Sequence, residues 1–176
     1  MLTAGLLVLR LVLGLTMAAH GTQKLFGWFG GPGLTGFGDA LERLGVRPGR
    51  SWAVLAAAVE FGGGLLVAAG LLTPVAALFV AGDLLVAILT THLTSGFWNR
   101  DGGYEHPLAL LGGMVAISLA GPGSASLDSL MRLRLPEPAT WLAVVIAVLL
   151  GVVAATASVR LREAHVVEKK GDGTWG

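Results

Sequence analysis

Long apolar stretches separated by short polar segments form the dominant pattern of this chain. Five of them meet or approach the roughly 17–25 apolar residues that an α-helix needs to cross a bilayer. They cover residues 2–20, 51–72, 74–92, 106–120 and 139–159. The pattern therefore predicts an all-α membrane helix bundle without a sheet, in which the chain crosses the bilayer several times.

The individual stretches differ in character. Thr73-Pro74 separates the second from the third, and proline at a helix start predicts a tight hairpin there. The fourth is short and rich in glycine, which favours close packing against neighbouring helices. The fifth carries no ionisable group and is typical of a lipid-facing span. Between the first two stretches, a glycine-rich turn at 27–36 precedes an amphipathic segment at 37–44. This segment predicts a short helix that lies on the membrane surface or covers the mouth of the bundle.

Composition supports the membrane assignment and excludes other classes. The chain is 54% hydrophobic and 13% charged, whereas soluble domains are about one quarter charged. The absence of cysteine excludes disulfides, thiolate metal ligands and iron–sulfur clusters, and the sequence indicates no metal site. A net charge of +1 without a basic stripe indicates no nucleic-acid partner.

Lys and Arg are distributed unevenly between the loops. Nine lie in the loop after the first stretch, the loop after the third, and the C-terminal tail, whereas the other side carries only Arg132 and Arg134. By the positive-inside rule, the N-terminus is predicted outside and the C-terminus in the cytoplasm. We expect a multi-pass protein of a bacterial plasma (inner) membrane. Its first stretch has Arg10 in the middle and no basic leader, so it is predicted to be a retained helix.

Three ionisable residues fall inside the predicted spans. Counted from the predicted helix ends, Arg10, Glu60 and Asp83 lie at a common depth, roughly 14 Å from one membrane face. Because unpaired charges are costly there, we expect Arg10 to pair with Glu60, with Asp83, or with both. Such a network either fixes helix register or serves chemistry or transport.

A second polar group is predicted at the membrane face that the three deep residues share. Histidine titrates near neutrality and binds protons, metals or quinone carbonyls, so this group is a candidate quinone or ligand site. Asp83 and His92 are nine positions apart, on nearly opposite faces of an ideal helix. Both can face inward only if their helix bends or ends early. The candidate residues are His20, Lys24, His92, Glu105 and His106.

Several ordered motifs resemble the DoxX family of small membrane proteins. They include Leu9-Arg10-Leu11-Val12-Leu13-Gly14, His20-Gly21-Thr22-Gln23-Lys24, Val59-Glu60-Phe61-Gly62-Gly63, His92, Gly103-Tyr104-Glu105 and Ser126-Leu127-Asp128. The resemblance implies a four-helix membrane domain at 1–130. The hydrophobic pattern adds an extra transmembrane helix at 131–160 and a polar tail at 161–176. The resemblance also implies that Arg10, His20, Lys24, Glu60, His92 and Glu105 are the recurrent polar positions. Asp83 and the fifth helix lie outside the family pattern.

The family is named after a subunit of an archaeal thiosulfate:quinone oxidoreductase, and other members are linked to redox complexes and oxidative-stress defence. The resemblance therefore implies a subunit associated with a quinone-linked oxidoreductase. It would have no intrinsic cofactor and would use a quinone. Because the chain offers no electron carrier, a partner or the substrate would supply the electrons. A haem held by His20 and His92 has no other support in the sequence. Two alternatives stay open: a non-catalytic accessory subunit that contacts a protein partner or another copy, and a small anion or proton transporter.

Overall fold

Seven helices make up the fold in a computed structural model that describes residues 2–136 and 138–171, with side-chain surroundings up to residue 159. No strand occurs within these ranges, and the predicted all-α membrane bundle is confirmed. The helices are α1 (Leu2–Phe26), α2 (Gly33–Leu44), α3 (Gly49–Ala69), α4 (Thr73–Ser95), α5 (Glu105–Ala120), α6 (Leu127–Leu130) and α7 (Ala139–Gly171).

Four segments of the described chain are long and apolar enough to cross a membrane: α1, α3, α4 and the Ala139–Val159 part of α7. With 16 residues, α5 is about 24 Å long, shorter than the roughly 30 Å hydrocarbon core. Each of the five predicted stretches is thus a helix, but α1 ends at Phe26 rather than near residue 20. α7 continues to Gly171, well into the predicted polar tail, and the rest of that tail lies outside the described residues.

Glycines bring α1 and α3 into backbone contact as an antiparallel pair. A Cβ atom on Gly14 would come within 2.6 Å of the Gly64 carbonyl oxygen, and one on Gly64 equally close to the Gly14 oxygen. Near the end of α1, Gly21 lies directly against the backbone of Phe61. Small residues at such positions let transmembrane helices approach closely and gain dispersion contacts. This contact also fixes the register of α1 against α3.

The apolar core lies where α1, α3, α4 and α5 meet. Met17, Val67, Val80 and Met114 are fully buried in it, surrounded by further alanine, leucine and isoleucine side chains. α5 packs along α4, and the Ser118 hydroxyl donates to the Pro74 carbonyl oxygen at 2.9 Å. α5 therefore packs against the core on one side, while its other side, which includes Leu108, Gly112 and Leu119, is exposed.

The two remaining long elements pack on the outside of this core. α2 lies along the first part of α3, where Gly38 contacts the Arg50 backbone. α7 packs against α4 through Val148, which lies over Gly82. Its other side presents exposed apolar side chains, including Leu142, Leu150 and Val153, and contacts lipid.

Two π-helical turns distort the spans, one near the middle of α3 and one close to the end of α4. One occupies Val59–Gly63 in α3 and contains Glu60, and the other occupies Ile88–His92 in α4. Each widens the helix by about one residue, a distortion often found at functional sites. The second turn follows Asp83 and includes His92, so these two side chains do not keep the relative directions that an ideal helix would give them.

Candidate functional site

Lys24 and Glu60 form an ion pair at the α1–α3 interface. The Lys24 Nζ atom lies 2.7 Å from Glu60 Oε1, and the two side chains are 22% and 6% exposed. Lys24 reaches Glu60 from the last turn of α1, where the close approach of Gly21 to Phe61 brings the two helices together. The Phe37 ring of α2 covers the ammonium group, with its centroid 4.5 Å from Nζ. The pair is therefore partly shielded from water by an aromatic cation–π contact.

Asp83 adds a second carboxyl group to this pair. From α4 it interacts with the Glu60 carboxyl and with the Lys24 charge. Glu60 Oε2 is buried and receives no hydrogen bond from any donor in the described part of the chain. Two neighbouring carboxyl groups that face one ammonium group can share a proton between them. We call Lys24, Glu60 and Asp83 the acidic cluster.

Arg10 does not belong to this cluster, and the predicted pairing of Arg10 with Glu60 or Asp83 is wrong. The α1–α3 register sets Arg10 against Gly70, whereas Glu60 lies near Gly21 and Lys24. Along α3, Gly70 and Glu60 are ten residues apart, which corresponds to roughly 15 Å. The predicted common depth assumed that α1 ends near residue 20. Because α1 continues to Phe26, its deep charge lies nearer the opposite membrane face.

Arg10 instead holds the loop that follows α5. Its Nη2 atom donates to the Ala125 carbonyl oxygen, and its charge lies close to Asp128. The Asp128 carboxylate accepts bonds of 2.8–2.9 Å from the Leu72 and Thr73 amides and from the Thr73 hydroxyl. It thus caps α4 from a distant part of the chain. Composition and periodicity did not single out Asp128; the Ser126-Leu127-Asp128 motif was its only sequence signal.

The five predicted face residues divide into three groups. The His20 and His106 rings lie 6.0 Å apart, brought together by α1 and α5. Lys24 is engaged with Glu60. His92 and Glu105 brace the loop between α4 and α5: His92 Nδ1 donates to the Gly102 carbonyl at 2.8 Å, and the Asn99 amide donates to Glu105 Oε2 at 3.0 Å. That tautomer leaves His92 Nε2 able to accept a hydrogen bond.

An apolar groove extends from the acidic cluster between α3, α4 and α7. Its volume is about 160 Å³, and among its described lining residues Asp83 is the only ionisable one. The apolar wall of the groove includes one residue from each of the three helices, Trp52, Phe79 and Val152, together with Leu41 of α2. We call this cavity the lateral groove. Sequence reasoning missed it, because the helix outside the family pattern supplies one of its walls.

Within the described residues, no three His, Asp or Glu side chains are grouped as a metal site. The site is instead a set of carboxyl, ammonium and imidazole groups beside an apolar groove. Apolar helices of spanning length with an ionisable cluster between them define a small multi-span membrane protein.

Comparison with known proteins gives the family. The DoxX family matches residues 5–93, and the chain belongs to that family. It is 34% identical over 136 residues to the uncharacterized membrane protein Rv3486 of Mycobacterium tuberculosis, covering 72% of this chain and 80% of the relative. It is 31% identical over 128 residues to the inner membrane protein YqjF of Escherichia coli, covering 73% and 92%. No solved structure matches the chain.

Proposed function

We propose that this DoxX protein is the membrane subunit of a quinone-linked redox system, and that it exchanges protons with a quinone at Asp83. One observation carries the proposal: a single carboxyl group belongs both to the apolar lateral groove and to the buried acidic cluster. An apolar cavity with one precisely placed polar group is the usual form of a site for a hydrophobic small molecule.

The groove suits a ligand that arrives from the lipid phase. Its wall of Trp52, Phe79 and Val152 would hold the apolar part, while Asp83 would hydrogen-bond a ring oxygen. A bound quinone would supply the redox chemistry, accepting electrons from a partner protein of the oxidoreductase class. The residues of this chain would bind it, orient it and move protons.

The acidic cluster provides a route for those protons. Asp83 lines the groove and interacts with Glu60, and the Lys24 side chain is 22% exposed, against 6% for Glu60. A proton that Asp83 gives to the ligand would be replaced by one that enters from the water side and passes through Glu60, whose Oε2 receives no hydrogen bond from a donor in the described structure. Between transfers the carboxyl pair holds one proton, and Lys24 would stabilise its single negative charge.

The predicted ligand site on the shared membrane face stays a second proposal. His20 with His106, and the accepting Nε2 of His92, would serve proton entry or a quinone headgroup at the water boundary.

The distribution of Lys and Arg further supports a bacterial plasma membrane with the N-terminus outside.

The test uses the full-length protein in lipid nanodiscs and decylubiquinone as the ligand. Quinones quench nearby indoles, so binding is followed by tryptophan fluorescence, and the quenching lost in Trp52→Phe is assigned to the groove. Asp83→Leu, which removes the hydrogen-bonding group, should weaken this binding up to about tenfold, the equivalent of one hydrogen bond. Asp39→Leu, on exposed α2 surface, should leave it unchanged. Equal affinity in both variants, or quenching that Trp52→Phe does not reduce, would refute the proposal and favour an accessory subunit.

A further inference from the structure

A pair of cavities lies at the end of the bundle where α4 and α7 begin. One, of about 380 Å³, lies between the beginnings of α4 and α7, and the other, of about 500 Å³, lies under the loop before α7. They share lining residues and form one site, which we call the α4–α7 pocket. The shared residues are Pro122, Asp128, Leu133 and Arg134.

The pocket has one apolar part and one basic part. Leu78, Trp141 and Val144 line the part that lies between the two spans, within about two helical turns of where they begin. Arg132 and Arg134 line the loop part, and both are exposed. Neither arginine takes part in an ion pair among the described residues, whose ion pairs join Lys24 to Glu60 and Arg100 to Asp101.

The loop holds its two arginines in a fixed turn. The Leu133 amide donates to the Asp128 carbonyl oxygen at 2.8 Å, and Arg132 adopts the left-handed conformation with φ of 53°. A residue other than glycine in this conformation is strained, and it persists only where its surroundings enforce it. The turn therefore presents two guanidinium groups beside the apolar gap rather than leaving them on a free loop.

Asp128 does not cancel this positive charge. Its carboxylate already accepts three hydrogen bonds from Leu72 and Thr73, and Arg10 lies behind it. The net charge that the pocket offers a ligand is thus that of Arg132 and Arg134. Their placement at the end of two spans, beside Trp141, corresponds to the headgroup level of a bilayer.

We propose that the α4–α7 pocket binds an anionic phospholipid. Arg132 and Arg134 hold the phosphate through charge-assisted hydrogen bonds, and an acyl chain lies along Leu78 and Val144. The basic loop explains the selectivity for an anionic headgroup, and the apolar gap between α4 and α7 explains the selectivity for a lipid over a free phosphate. The site shares no lining residue with the lateral groove.

Native mass spectrometry of the full-length protein tests this lipid site. Dioleoyl phosphatidylglycerol should be retained at least tenfold better than dioleoyl phosphatidylcholine. The double variant Arg132→Gln with Arg134→Gln should abolish that preference. The matched control, Arg47→Gln with Arg50→Gln, removes the same charge from exposed positions at the other end and should preserve it. Leu78→Trp, which fills the apolar part without changing charge, should lower retention of both lipids.

Three results would overturn the lipid site. They are equal loss of preference in the two double variants, unchanged retention in Leu78→Trp, and displacement of phosphatidylglycerol by millimolar glycerol 3-phosphate. The last would identify a site for a free phosphate compound instead.

Discussion

At the scale of single residues, the charged side chains inside the bundle are stabilised by neighbouring residues from other helices and loops. Lys24 meets Glu60 at 2.7 Å, while Arg10 uses a loop carbonyl and the nearby Asp128. Removing one partner of a buried ion pair leaves an uncompensated charge, which costs more than removing both. In the acidic cluster the imbalance is greater, because Lys24 is the cation that faces two carboxyl groups.

The first prediction concerns this asymmetry. Lys24→Met should lower the free energy of unfolding by about 3 to 5 kcal/mol, since it leaves Glu60 and Asp83 facing each other. Adding Glu60→Gln should recover part of that loss, because one carboxylate is removed. Unfolding by dodecyl sulfate in mixed micelles measures both variants and the Glu60→Gln single variant. Strict additivity of the two single changes would show that the Lys24–Glu60 contact contributes no coupling.

The sequence predicted which residues are buried and polar better than it predicted their partners. Arg10, Glu60 and Asp83 stood out because charges are rare in apolar stretches. Their pairing was predicted from their depth in the membrane. The depth of Arg10 was counted from the predicted end of α1, which is several residues too early. The hydrophobic pattern placed Lys24 beyond the end of the first helix. α1 nevertheless continues past it, because Glu60 and the Phe37 ring stabilise the ammonium group. The hydropathy of the chain alone cannot show that residues of other helices stabilise the Lys24 charge.

At the scale of helices, small residues determine how closely two helices approach, and the π turns change the directions in which side chains point. Gly21 and Gly64 let α1 and α3 touch along their backbones, which places Lys24 within reach of Glu60. The π turn at Ile88–His92 reorients the end of α4, so that Asp83 faces the cluster while His92 braces the loop before α5. The positions of glycine predicted close packing. Neither π turn was predicted, because the sequence shows no marker for the extra residue. The spacing of Asp83 and His92 indicated only that both could face inward if their helix bent or ended early.

The second prediction separates packing from helix propensity. Gly21→Ala would force a methyl group against the Phe61 backbone, and overpacking of this kind costs about 1 to 3 kcal/mol. Gly112→Ala is the matched control, because a Cβ atom there meets nothing within 4 Å. Both changes gain the same helix propensity, about 1 kcal/mol, so the difference between them reports the α1–α3 contact. Equal stability of the two variants in the same micelle titration would contradict the close approach.

At the scale of the whole molecule, the bundle has two chemically different ends. One carries the acidic cluster, the histidine pair and α2, and the other carries Arg10, Asp128 and the α4–α7 pocket. Antiparallel packing of α1, α3, α4 and α5 fixes which loops share an end. The membrane orientation of those ends is a separate matter, which rests on the excess of Lys and Arg around α2, after α4 and in the C-terminal segment.

The third prediction tests that orientation, and the lack of cysteine in the chain makes it direct. Thr35→Cys in α2, Thr94→Cys at the end of α4 and Ser129→Cys in α6 introduce single thiols at exposed positions. In intact spheroplasts, a membrane-impermeant maleimide should label Ser129→Cys alone, and lysis should expose the other two. A reporter fused to the C-terminus should behave as cytoplasmic if α5 also crosses the membrane, because five crossings would place the two termini on opposite sides. Labelling of all three thiols without lysis would refute the multi-span arrangement. Labelling of Thr35→Cys and Thr94→Cys but not Ser129→Cys would invert it, placing Arg132 and Arg134 in the cytoplasmic leaflet.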